Sequence, residues 1–249
     1  MPPRFFCSSP LPHPHLPQII TLDDDGTRHV QVLRLAVGDT ITLFNGVQPG
    51  EATANIQAIG KRAVTVEITA WHNISRESPL DIALLQALAT GDKMDLIIQK
   101  AVELGVTEVL PFRASRSTLK LDAERAGKRV AHWRGVAVAA CEQCGRNVVP
   151  GIADIITFDE SLLSTSCLGI LHPESSVDKG LSLFAWGQAQ AGKPLGIMVG
   201  PEGGFTDAEI AAALAKGATL VTLGPRVLRT ETAGLAAIAI LQSTLGDLG

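Results

Sequence analysis

The chain has no tyrosine, and only 4% of its residues are aromatic. An aromatic platform for stacking nucleobases is therefore a poor fit. No stretch approaches the ~18 consecutive apolar residues of a membrane span. Met1–Pro10 lacks the charged-then-apolar order of a secretory signal. The expectation is a soluble, cytoplasmic protein with no membrane partner. Cysteine is scarce, at Cys7, Cys141, Cys144 and Cys167. Cys141 and Cys144 form a C-x-x-C, but no second C-x-x-C or H-x-x-x-H completes four zinc ligands. The pair also falls late in a helical pattern, whereas a redox pair of the thioredoxin kind follows a strand. Reduced thiols and no metal are expected.

What is present is enough apolar material for one or two cored domains, 46% of 249 residues. The net charge of −4 argues at first against a nucleic-acid partner. Its distribution argues otherwise. Arg113 to Arg146 holds eight of the 21 basic residues and three of the 25 acidic ones, so the segment carries +5 and the remainder −9. A basic segment on an acidic chain points to a local anionic partner, or else to a solvated helix face.

The first 72 residues read as a small β-rich unit. Asp39–Phe44, Glu51–Ile59 and Ala63–Ile68 alternate Thr, Val and Ile, punctuated by Gly46, Pro49–Gly50 and Gly60. Trp71–Pro79 reads as a linker. From there, over 73–249, strands alternate with helices. Leu80–Leu88 is a continuous apolar run suited to a buried parallel strand. Asp92–Leu104 is an amphipathic helix burying Met94, Ile97, Ile98, Ala101 and Val102. Val106–Phe112, Leu168–Leu171, Gly196–Val199 and Thr219–Leu223 follow as strands. Asp122–Cys144, Asp207–Lys216 and Glu231–Leu245 follow as helices. The expected fold is α/β with a mainly parallel sheet.

One strand-to-helix loop stands out. Gly200-Pro201-Glu202-Gly203-Gly204 follows a strand, and Thr206 with Glu209 makes a T-x-x-E capping box for the next helix. In open α/β sheets that edge is the usual ligand site. The loop lacks the lysine of a P-loop and the G-x-G-x-x-G of a dinucleotide fold. Alone it is a tight turn in which Gly203 and Gly204 permit positive φ. Two more strand ends carry similar punctuation, Leu171-His172-Pro173 and Leu223-Gly224-Pro225. Three such ends suit one shallow pocket for a ligand with a purine edge and a sugar.

These segments, with others, resemble the RsmE family, methyltransferases of 16S ribosomal RNA that modify the N3 atom of a uridine. The shared residues are Arg4-Phe5-Phe6, His29–Leu35 with Gly38-Asp39, Gln99–Val106, Glu142–Arg146 with Pro150, Leu171–Pro173, Gly200–Gly204 and Leu223–Ala233. Their order and spacing are kept over almost the whole chain. Thr90 departs from the pattern, where many members have a basic residue. The resemblance implies a SPOUT-type α/β knot, a deep C-terminal trefoil, behind a PUA-like β-barrel at 1–72. It implies S-adenosyl-L-methionine held by Leu171, His172, Pro173, Val199, Gly200, Pro201, Glu202, Gly203, Gly204, Leu223, Gly224, Pro225, Val227 and Leu228. It also implies a homodimer acting on 16S rRNA within the assembled small subunit.

Arg229, beside that pocket, is the candidate for stabilising the charge that uridine N3 deprotonation spreads onto the neighbouring carbonyl oxygens. Glu202, Glu231 and His172 stand near, each as a proton acceptor or as a structural element, solvent is a further acceptor, and no general base is assigned. Arg4, Arg34, Arg113, Arg116, Lys120, Arg134 and Arg146 are expected to contact RNA, giving salt-dependent affinity. Competing readings are a SPOUT enzyme for a ribose 2′-hydroxyl or guanine, and a non-catalytic RNA-binding assembly factor.

Overall fold

The computed structural model describes residues 2–11, 18–119, 121–173 and 181–249. The chain forms two compact units, Met1–Glu77 with Cys141–Val149, and Ser78–Ala140 with Pro150–Gly249. The first unit thus runs past the expected boundary at residue 72 and takes in a distant segment. That segment joins it through backbone pairing, a parallel bridge between Gly46 and Val148 and a bond from Val149 N to Gly46 O. Sequence patterning cannot reveal such pairing, because the segment continues directly from a helix of the second unit.

In the first unit, strands β1 (Arg4–Phe6), β2 (Gln18–Thr21), β3 (Thr40–Phe44), β4 (Glu51–Ile59) and β5 (Val64–His72) form one sheet in the order β1-β3-β4-β5-β2. Only β1 and β3 run parallel. Alternation places Ala52, Ala54, Ile56, Val64, Val66 and Ile68 in the core with Ile41 and Leu43. Helix α1 (Asp24–Val32) was not expected in this β-rich region. Its Gly, Thr and Val residues are weak helix formers. Asp23 starts it as N-cap, accepting from Gly26 N at 2.9 Å, and Val30 anchors it in the core.

The second unit contains β6 (Ile82–Ala87), α2 (Lys93–Glu103), β7 (Glu108–Arg113), α3 (Ala123–Cys144, whose last turn is in the first unit), β8 (Gly151–Ile152), β9 (Ile156–Thr157) and α4 (Phe158–Ser161). It continues with β10 (Leu168–Leu171), β11 (Leu181–Ser182), α5 (Leu183–Ala189), β12 (Leu195–Val199), α6 (Asp207–Ala215), β13 (Thr219–Thr222) and α7 (Thr230–Leu245). Its eight strands pair in parallel, in the order β11-β13-β10-β12-β6-β7-β8, with β9 also on β7. Strands β6, β10 and β12 are almost wholly buried, as the apolar strands of a parallel sheet require, with Gln86 the polar exception in β6. The five α2 residues expected in the core are its buried residues. Among the described residues no helix is long and apolar enough to cross a membrane.

Candidate functional site

Strand order builds the site. β13, β10 and β12 are neighbours and all run the same way, so their carboxyl ends open on one edge. The segments leaving them line a single cavity of about 690 Å³, within the range of small-molecule sites. Every residue expected to hold the methyl donor lines this cavity except Pro225, and Arg229 lines it too. Phe205, Val221, Arg226, Thr230, Glu231, Ala233, Lys93 and Arg116 complete the wall.

The glycine loop is held from several sides. Phe205 stacks parallel to Phe112, ring centroids 6.4 Å apart, and covers Gly200. The capping box is formed: Glu209 N donates to Thr206 Oγ1 at 3.2 Å, and Thr206 N to Glu209 Oε2 at 2.8 Å. The other oxygen of Glu209 accepts from Ser115 N at 2.8 Å, fixing the segment after β7 to the same turn. Arg116 donates to the carbonyls of Gly203 and Phe205, both at 3.0 Å. Of the two loop glycines only Gly204 has positive φ, at 67°. Gly203 serves close approach instead, since a Cβ there would meet Arg116 Cβ at 3.2 Å.

Electrostatics divides the two pocket carboxylates. Glu202 Oε1 accepts from Thr90 N, Thr90 Oγ1 and Lys93 Nζ at 3.2, 2.9 and 2.9 Å. Burial pushes its carboxyl up, but the bonds from Lys93, the backbone and Thr90 outweigh this and hold it at about 2. Glu202 is therefore a fixed anion and a poor proton acceptor. Thr90, where a basic residue was expected, completes this anchor. Among the described residues Glu231 Oε2 is buried without a hydrogen-bond partner and makes a 3.4 Å ion contact with Lys93. His172 Nδ1 is also buried without a hydrogen-bond partner among the described residues. Arg229 is the N-cap residue of α7, its side chain 84% exposed and 4.0 Å from Glu231. At that distance the pairing with Glu231 is loose, and the guanidinium stands at the cavity edge.

The residues fit S-adenosylmethionine on these grounds. Leu171, Val199, Val221, Leu223 and Leu228 supply apolar wall. His172 Nδ1 and Glu231 Oε2 are buried polar atoms awaiting a hydrogen bond. At Gly224, φ is 102° and a Cβ would point into open space, which leaves the backbone accessible to a ligand.

The expected RNA contacts divide. Arg4 and Arg146 are a correction, because both are buried inside the first unit. Arg4 pairs with Glu51 and donates to Arg146 O at 3.0 Å and Asn147 Oδ1 at 2.7 Å. Arg146 pairs with Glu77 at 2.7 Å. Arg34 and Arg113 are exposed, while Arg134 is exposed but bonded to Asp154 and Ile152 O. Lys120 lies outside the described residues. Lys93, Gln86 and Thr230 were missed by the sequence reading. Gln86 had a signal, as an amide inside the apolar run Leu80–Leu88 that must find partners when buried.

The chain is similar to known proteins along its whole length. The model of the RNA methyltransferase domain matches residues 76–242, and that of the RNA methyltransferase PUA domain matches 22–69. Ribosomal RNA small subunit methyltransferase E of Bacillus subtilis is 36% identical over 85% of this chain and 84% of its own. The protein of that name from Neisseria gonorrhoeae, solved bound to S-adenosyl methionine, is 39% identical over all of both chains, with a TM-score of 0.89. A Legionella pneumophila chain solved with bound cofactor SAM is 34% identical over all of both chains, with a TM-score of 0.90. With the second unit matched as a methyltransferase domain and the first as its PUA companion, the chain belongs to the ribosomal RNA small subunit methyltransferase E (RsmE) family.

Proposed function

We propose that the protein transfers a methyl group from S-adenosyl-L-methionine to the N3 atom of a uridine in 16S ribosomal RNA. The observation that carries this is the convergence of three strand-end segments and Arg229 on one cavity, in a chain whose relatives bind that cofactor. When bound, the cofactor supplies an electrophilic methyl on a sulfonium. The chain supplies placement and charge. Loop backbone and apolar wall hold the donor, and holding two reactants in line is worth roughly 7–11 kcal/mol of barrier.

Uridine N3 must lose its proton to become nucleophilic, which puts negative charge on the flanking carbonyl oxygens. In this reading Arg229 meets that charge, supported by its exposure and its position in the cavity wall. The start of α7 lines the cavity as well and adds the positive end of a helix dipole. Of the two wall carboxylates, Glu202 is held as an anion by Lys93 and Thr90. Glu231, in ion contact with Lys93, and His172 are left as the wall side chains whose buried atoms have no hydrogen-bond partner among the described residues.

The RNA footprint in this reading uses Arg34, Arg113, Arg116 and Arg134, with Lys120 as a further contact. The protein works as a homodimer on the assembled small subunit, and its second unit threads the knot that the family resemblance implies. Calorimetric titration with S-adenosylmethionine separates an enzyme from an assembly factor that has lost the cofactor. Saturable one-site binding is expected, and no heat at millimolar ligand contradicts the proposal. Mass analysis of the methylated nucleoside separates N3-methyluridine from 2′-O-methyl or guanine products.

A further inference from the structure

Gln86 is an amide with no solvent exposure, near the end of β6. It lies in register with Val199, the last residue of β12. Burying an unpaired amide is costly, so its bonds are informative. Its Nε2 donates to Ala87 O and to Thr230 Oγ1, both at 3.0 Å. Thr230, the first residue of α7, in turn donates its hydroxyl proton to Gly200 O at 2.7 Å.

The chemistry fixes the direction of this chain. Gly200 O can only accept, so it takes the one hydroxyl proton of Thr230. Gln86 must then present its NH2 to Thr230 and to Ala87 O. The amide orientation follows from its partners, and its Oε1 is left buried with no hydrogen bond among the described residues.

We propose that Gln86 and Thr230 are positioning residues. They form a buried relay that pins the first turn of α7, and with it Arg229, against the exit of β12 into the glycine loop. The inference rests on the proposed methyl transfer and deepens it. Arg229 is the N-cap of α7 but makes no capping bond with its own side chain. The hydroxyl of the next residue supplies the anchor instead. Gly200, Thr230 and Glu231 all line the cavity, so a shift at this junction moves the charged wall relative to the donor wall.

A relay that only satisfies a buried amide makes a different prediction from one that positions Arg229. Removing Gln86 and Thr230 together leaves Ala87 O and Gly200 O without these donors, so some stability is lost in either case. Activity separates them. Thr230→Val, of similar volume, is expected to lower methyl transfer about 100-fold at saturating donor and RNA, the size of effect that a misplacement of about 1 Å produces. Donor affinity should stay within about 3-fold, because Thr230→Val keeps the volume of its own place in the wall and leaves the other lining residues unchanged. Thr230→Ser, which keeps the hydroxyl, should return transfer to within about 3-fold of wild type. Gln86→Leu should reproduce the loss, and Gln86→Leu/Thr230→Val should be no worse than the poorer single variant, as members of one unit behave.

A second readout needs no activity. The amides of Thr232 and Ala233 bond to Arg229 O at 2.9 and 2.8 Å. In the free Thr230→Val protein their hydrogen exchange should quicken about 10-fold, a change that open fraying of the first turn produces. Transfer within about 3-fold of wild type in the double variant, an equal loss in Thr230→Ser, or unchanged exchange at those two amides overturns the relay. If the wild-type protein methylates no RNA, the proposed function fails, and the exchange result still decides the relay on its own.

Discussion

Replacing Glu51 with Gln changes one atom and tests the most consequential departure from the sequence reading. Arg4 was expected to reach RNA, and it is instead the centre of a buried ion cluster. Its side chain is 4% exposed and that of Glu51 is 11% exposed. Arg76 bonds to the same carboxylate at 2.8 Å, but its own side chain is 34% exposed and contributes less. Breaking a buried pair by removing one partner costs roughly 3–5 kcal/mol. Arg4 would keep Arg146 O, Asn147 Oδ1 and the face of Phe44 at 4.9 Å, which favours the lower end. A unit of this size loses about 4–8 °C per kcal/mol, so its melting temperature should fall by more than about 10 °C.

Calorimetric melting of the whole chain reads this directly. Sign follows from linkage. Burial pushes the Glu51 carboxyl up, but bonds from Arg76 and Arg4 outweigh it and lower it below the ordinary 4.5. The stability it contributes is present above 4.5 and is lost as pH falls through the lowered value. Glu51→Gln should therefore remove part of the acid limb of the stability curve. A melting temperature within about 2 °C of wild type refutes the reasoning. So does an Arg4→Met variant that melts normally while the log–log salt slope of RNA binding drops by about one phosphate contact.

Three further outcomes are expected. Carboxyl NMR should place the Glu202 midpoint near 2, and Lys93→Met should raise it toward the ordinary 4.5. The Glu202 contribution to stability is then lost only as pH falls from 4.5 through 2; an unmoved midpoint in Lys93→Met removes Lys93 from the anchor. Gly234→Ala would bring a methyl to 3.1 Å from Leu84 and 3.2 Å from Val199, both fully packed. Overpacking of about 1–3 kcal/mol should exceed the helix gain of roughly 1 kcal/mol, so urea unfolding should show net destabilisation, and a stabilised variant contradicts the packing described. Arg229→Ala should lower methyl transfer about 100- to 1,000-fold with donor affinity nearly unchanged in calorimetry; a parallel loss of both assigns Arg229 to the donor instead.

Much of the second unit was legible because its signals are local. The buried face of α2, the T-x-x-E box before α6 and the apolar runs of β6, β10 and β12 each follow from a few adjacent residues. Alternation from Leu80 onward implied a parallel sheet, and adjacency of β13, β10 and β12 then brings three punctuated ends together. The T-x-x-E of Thr157 and Glu160 was equally readable and marks α4. What was not legible depends on partners far along the chain. Arg4 meets Glu51 and Asn147, 47 and 143 positions away, so burial could not be told from exposure by residue type. The +5 segment is likewise diluted by Arg134 with Asp154 and Arg146 with Glu77. Lys93 and Gln86 matter through Glu202, Glu231 and Thr230, contacts that only the fold creates.

The central claim is a methyl donor in the three-walled cavity acting on one uridine N3. Small ribosomal subunits lacking the modification, incubated with the protein and S-adenosylmethionine labelled in the methyl group, test it most directly. Label should appear in 16S RNA as N3-methyluridine at a single position, and its rate of appearance should fall about 100- to 1,000-fold with Arg229→Ala. Label on a ribose, on guanine or on no nucleoside at all would contradict the account.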